Sequence, residues 1–143
     1  MTNPNPRRRG ILVLIAVLAA ASVALFMFVR SHSASAIARK MKNPVPSTPA
    51  VLAAGKQSYV EHCQKCHGEK GNGQGEKATE LTIAPSDFTN ANEMGDLTDG
   101  QLFQEITKGE LPMPAFEDML SEQERWQLVD YIRTFASTPT ARH

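Results

Sequence analysis

Cys63-Gln64-Lys65-Cys66-His67 puts two thiols three positions apart and an imidazole directly after the second. These are the only cysteines in 143 residues, so no disulfide framework is available to the fold. A closed zinc site built on them would draw a second pair of ligands from a distant segment, and no second Cys/His pair exists. A thioredoxin-like redox pair would need a βαβ pattern around it, which is absent. The chemistry that uses all three groups at this spacing is covalent attachment of haem. Cys63 and Cys66 would bond the two vinyl groups as thioethers while His67 ligates the iron.

Upstream, Leu52, Lys56, Tyr59 and Cys63 recur at helical spacing, which predicts a helix from about Val51 to Cys63 whose end delivers the first cysteine. Downstream, Gly68, Gly71, Gly73 and Gly75 predict a flexible loop, followed by polar coil to about Asp96. Thr98 with Gln101 has the form of a capping box, and Leu102, Phe103 and Ile106 supply the apolar face of a helix ending near Lys108. Ser121 with Glu124 repeats that signature. Trp126, Leu128, Val129, Tyr131, Ile132 and Phe135 then form a broad apolar stripe running through Ala136. With 6% aromatic residues the domain has a thin core of its own, and a buried flat apolar macrocycle would complete it. The motif occurs once and no internal repeat is present, so one haem is expected.

The second axial position of a haem iron decides between electron transfer and ligand chemistry. Met113 is the candidate: in Leu111-Pro112-Met113-Pro114 the flanking prolines fix φ and stiffen an extended loop, holding a soft thioether at low entropic cost. Met94, in polar loop, and Met119, in a short helical turn where packing is the plainer role, are its rivals. His62 precedes the attachment on its own side of the chain and is poorly placed for the opposite haem face. His32 and His143 read as unstructured flanks.

Ile11 to Val29 is almost unbroken apolar sequence, roughly 28 Å of helix and close to the thickness of a bilayer core. Two readings compete for it: a retained anchor, which its length favours, and a signal segment cut near Ala34-Ser35-Ala36. The expected organisation is a basic head and transmembrane helix over 1–30, a flexible Ser/Ala/Pro linker over 31–49, the haem domain over 50–138 and a tail over 139–143. No Asp or Glu precedes Glu61, whereas from Ala50 onward 8 Lys/Arg face 15 Asp/Glu, formally −7. A nucleic-acid partner needs the opposite sign on the folded surface and is excluded on that ground.

Gly55, Tyr59, Cys63-Gln64-Lys65-Cys66-His67-Gly68, Gly109 to Met113-Pro114-Ala115-Phe116, and Arg125-Trp126 to Tyr131-Ile132-Arg133 together resemble a class I monohaem cytochrome c over about residues 50 to 136. The resemblance implies an all-α cytochrome c fold around one covalent haem c, here preceded by an N-terminal transmembrane helix. It further implies close crossing of the first and last helices of the domain, with Gly55 and Tyr59 against Leu128 and Tyr131. The carbonyl accepting the ligand histidine's Nδ1 proton would come from Pro85, and the Trp126 indole would either reach a haem propionate or pack in the core. Haem attachment on the exported face would leave the N-terminus inside and the domain periplasmic, at the cytoplasmic membrane. The implied function is electron transfer between redox proteins, the partner presenting a basic rim, with no small-molecule substrate and no enzymatic activity of its own. Two alternatives stand beside it: a subunit of a larger membrane oxidoreductase, and a haem enzyme or gas sensor with an open sixth position.

Overall fold

The computed structural model describes residues 6–137; the head's first five residues and the tail expected over 139–143 lie outside them. The chain divides between Ile37 and Ala38 into two units. Most of the first belongs to α1, Pro6–Lys40. Every large apolar side chain from Ile11 to Val29 is more than half exposed, so the helix is apolar all round and has no protein core to bury. A helix of that kind suits a membrane interior. It is long and apolar enough to cross one.

Helix α1 runs through Ser31 to Lys40, which had been expected to begin the flexible linker. The physical reason is local: this stretch holds Ser and Ala but no Pro or Gly, and nothing breaks a helix before Asn43-Pro44. The Ser22 and Ser33 hydroxyls donate to the Leu18 and Val29 carbonyls one turn back, so they join the helix rather than compete with it. Residues beyond Lys40 are not free either. Met41 and Val45 pack against the core of the second unit, the Asn43 amide donates to the Trp126 carbonyl at 3.2 Å, and the Asn43 side chain accepts from Val45 N at 2.9 Å.

The second unit is built on two crossing helices. α2, Pro49–His62, starts where the Thr48 hydroxyl accepts from Val51 N, with Pro49 in the first turn, where its missing N–H costs nothing. α6, Glu122–Ser137, starts at the expected capping box: Ser121 Oγ accepts from Glu124 N, and the Glu124 carboxylate accepts from Ser121 N and Oγ. Those bonds hold the Glu124 carboxyl below its ordinary range. Gly55 makes the crossing close, since a Cβ there would stand 2.2 Å from the Gln127 carbonyl oxygen and 2.9 Å from Tyr131 Cβ. One turn on, the Tyr59 ring meets Tyr131 at 5.4 Å and Phe135 at 5.1 Å. Gly55→Ala is expected to cost about 1–3 kcal/mol by overpacking, outweighing the roughly 1 kcal/mol that Ala gains over Gly in a helix. Denaturant unfolding should show the midpoint falling with its slope unchanged, and native-like stability would mean the helices part without penalty.

α5, Asp99–Lys108, carries the complete Thr98/Gln101 capping box and buries Leu102, Phe103 and Ile106 against α6. Phe103 stacks on Trp126 with ring centroids 4.0 Å apart. The polar coil expected before it contains a further helix, α4, Ala91–Asp96, capped by the Asn90 side chain and anchored by buried Met94. Arg133 of α6 ties α4 down, donating to the Met94 carbonyl, to the Leu97 carbonyl at 2.6 Å and to the Asp99 carboxylate at 2.8 Å. The described residues form no β-strand, only an isolated bridge between Glu110 and Met113.

Candidate haem site

The attachment sequence is itself helical. Cys63 ends α2 and caps α3, Gln64–His67, and the amides of Cys66 and His67 bond back to the Cys63 carbonyl at 3.1 and 2.9 Å. One turn of helix therefore presents both thiols and the imidazole together, and all three line a cavity of about 260 Å³. Among the described residues no three His, Cys, Asp or Glu side chains gather as a metal-ion ligand set. No disulfide joins Cys63 and Cys66.

His67 is fixed from two sides. Its ring stacks on Phe88 at 4.5 Å with an interplanar angle of 16°, and its Nδ1 lies 3.2 Å from the Ser86 carbonyl oxygen. A carbonyl can only accept, so Nδ1 carries the proton and Nε2 keeps its lone pair for a metal. Burial pushes the His67 imidazole below its ordinary value, and the Ser86 bond partly opposes that. The acceptor corrects the expectation of Pro85 by one residue. Pro85 does line the cavity, but its carbonyl oxygen is turned towards Gly73. Beyond His67 the chain is tied to α2, the buried Tyr59 hydroxyl donating to the Gly68 carbonyl at 2.7 Å.

The remaining wall comes from Leu81, Ile83 and Ala84 on one segment and Leu111 to Pro114 with Phe116 on another. The second segment leaves α5 at Gly109, whose amide bonds the Glu105 carbonyl and whose φ is +64°. A Cβ at Gly109 would meet the Pro114 backbone at 2.5 Å, so the loop can fold back only over glycine. It then closes through Met113 N to the Glu110 carbonyl at 2.8 Å and Phe116 N to the Ile106 carbonyl at 3.1 Å, with a cis Leu111–Pro112 peptide between them. Of the methionines among the described residues, only Met113 lines the cavity. Met94 is in the α4 core and Met119 is exposed in a turn. His62 also reaches the wall, edge-on to Phe116 at 5.8 Å.

Trp126 is not part of this wall. Its indole is buried between α5 and α6, stacked on Phe103, and its Nε1 finds no partner among the described residues. The sequence reasoning missed Leu81, Ile83 and Glu105, the last of which comes from the cavity side of α5. Two sulfur nucleophiles, an oriented imidazole and a thioether around a mainly apolar cavity form a donor set that fits covalently attached haem.

Comparison with known proteins agrees with that geometry. The family described as cytochrome c oxidase, cbb3-type, subunit III matches residues 50–132. A cytochrome c6 from Euglena viridis is 29% identical over 93 residues, covering 62% of this chain and 97% of its own. Among solved structures, a chain of the Kuenenia stuttgartiensis reducing HAO-like protein complex Kustc0457/Kustc0458 is 33% identical with a TM-score of 0.57, covering 66% of this chain. This chain spans about half of that one, 49%. The KustC0563 c-type cytochrome is 28% identical with a TM-score of 0.51, covering 57% of this chain and 95% of its own.

Proposed function

Because this chain belongs to the cytochrome c family and carries covalent haem c, we propose that it transfers electrons as a membrane-anchored monohaem cytochrome with His67 and Met113 as axial ligands. The observation that carries the reading is the cavity wall, where Cys63, Cys66, His67 and Met113 meet and the other described methionines do not. The haem supplies a one-electron iron couple. Around it, the Phe88 stack and the Ser86 carbonyl hold the His67 ring in one orientation and one tautomer. The loop from Gly109 to Phe116 would present the Met113 thioether without a large entropy loss, and Leu81, Ala84 and Phe116 would shield the iron from water. Two fixed ligands leave little to reorganise between oxidation states. An open sixth position, which a haem enzyme or gas sensor would need, has no support in this wall.

The α1 helix serves as the anchor, with Arg7 to Arg9 on the cytoplasmic side and the haem domain exported. The match to a chain of a multi-protein complex favours a second reading, in which the same anchored domain is the electron-transfer subunit of a larger oxidoreductase. In either case the excess of acidic residues from Ala50 onward calls for a partner with a basic rim. The test is stopped-flow reduction of the full chain in detergent by a basic redox partner. The rate is expected to fall as salt rises through about 0.1 M, where the Debye length is about 10 Å. A rate that rises with salt would reject the acidic face as the docking face.

A further inference from the structure

Glu105 contributes a carboxyl group to a cavity wall that is otherwise largely apolar. The α5 register sets this, because Leu102, Phe103 and Ile106 occupy the core-facing positions and Glu105 falls on the flank of the helix that borders the cavity. Among the described residues no Lys or Arg lines the cavity to neutralise it. The cation nearest in sequence on its own helix, Lys108, is paired with Glu117 at 2.6 Å. The groups facing Glu105 across the cavity are His62 from α2, Cys63, Cys66 and His67 from the attachment turn, and Glu110 from the loop after α5. The segment from Leu81 to Ser86 contributes none that titrate. Glu105 is exposed at the edge of the cavity, and partial desolvation and then Glu110 push its carboxyl above its ordinary range. A group displaced in that direction changes its protonation when a nearby charge changes.

We propose that Glu105 takes up a proton when the haem is reduced, so that this carboxyl makes the reduction potential depend on pH. The inference rests on the haem occupying this cavity, as in the function proposed above. The step balances: one electron from the redox partner reduces iron(III) to iron(II), and one proton from solvent converts the Glu105 carboxylate to the neutral acid. Net charge in the cavity is unchanged. Removing one positive charge from the iron raises the affinity of the carboxylate for a proton, and by linkage the proton raises the affinity of the iron for an electron by the same factor. The sign follows. Below the carboxyl pKa of the oxidised state Glu105 is neutral throughout and the potential is flat. Between the oxidised-state and reduced-state pKa values the potential falls as pH rises, and above the latter it is flat again at a lower value. Within the sloping window the reduced-to-oxidised ratio at fixed applied potential falls by up to tenfold per pH unit, equivalent to about 59 mV per unit for one electron.

The test is potentiometric titration of the haem-loaded full chain in detergent from about pH 4 to about pH 9, a range covering carboxylates and imidazoles. The oxidised spectrum is recorded alongside. Glu105→Gln should abolish the sloping window and hold the potential at its acid plateau, while Glu105→Asp, which keeps a carboxyl, should retain a window. A slope that survives in Glu105→Gln would overturn the proposal in favour of the haem propionates, and a slope lost instead in His62→Gln would overturn it in favour of the imidazole. The native protein's thioether-to-iron band reports separately on axial ligation. If that band is absent, the ligand assignment fails on its own, whereas a normal band with an unaltered slope in Glu105→Gln fails only the role of Glu105.

Discussion

Replacing Met113 by Ala is expected to open the sixth coordination position of the haem iron. The thioether-to-iron charge-transfer band at the red end of the oxidised spectrum should disappear, and the reduced protein should bind carbon monoxide, which the native protein should not. The potential should fall as well, because methionine ligation raises it. Axial ligands set haem potentials over about 0.8 V, and a fall on the order of a tenth of that range is expected. Met94→Ala and Met119→Ala provide the contrast. Met94 is 3% exposed in the α4 core, so its loss should cost about 2–5 kcal/mol of stability without touching the band. Met119 is 54% exposed, and its loss should change neither. Persistence of the band in Met113→Ala would show that another residue fills the position, with His62 next to be replaced because it shares the wall.

The largest effect is expected from the attachment turn. Native protein denatured in acid acetone should keep its haem in the protein fraction, because thioether bonds survive unfolding and ligand bonds do not. Cys63→Ala combined with Cys66→Ala should release all haem to the solvent. Cys66→Ala alone should leave at most one thioether and sharply reduce the yield of mature protein. The cavity explains the severity. Leu81, Ile83, Leu111 and Pro112 line it with apolar surface that the macrocycle would cover. At roughly 25 cal/mol per Å² of apolar surface buried, the cofactor contributes much of the hydrophobic stabilisation on that side of the domain. Haem recovered in the extract of the native protein would refute covalent attachment.

Several parts of this arrangement were legible in the sequence because they rest on local chemistry. A capping box needs only residues three apart, and Thr98/Gln101 and Ser121/Glu124 start α5 and α6 as expected. The thiols and imidazole share a wall because one helical turn carries them all. Gly55 marked the helix crossing, where Gln127 and Tyr131 stand nearest to it. What was not legible depends on distant parts of the chain. α4 buries one large side chain, Met94, too little to make a periodic pattern, and it is held by Arg133 from α6. The choice of Ser86 over Pro85 follows from how the 85–88 segment docks on the glycine loop, with Phe88 N bonding the Gly71 carbonyl at 2.7 Å. Glu105 looks like any solvent-facing helix carboxylate until the tertiary fold places a cavity beside it.

The bond between His67 and Ser86 bears on how such a protein can change over generations. Its acceptor is a main-chain oxygen, so every amino acid that could occupy position 86 supplies the same atom. No single codon change at that position deletes it. A carboxylate in the same place would make the orientation of the imidazole hostage to one side chain, and would shift the iron's electronics with every substitution. Here the restraint is inherited through the course of the backbone between Gly71 and Phe88. Lineages can therefore vary the surface residues of this segment, and with them the choice of partner, while the electronic setting at the iron stays the same.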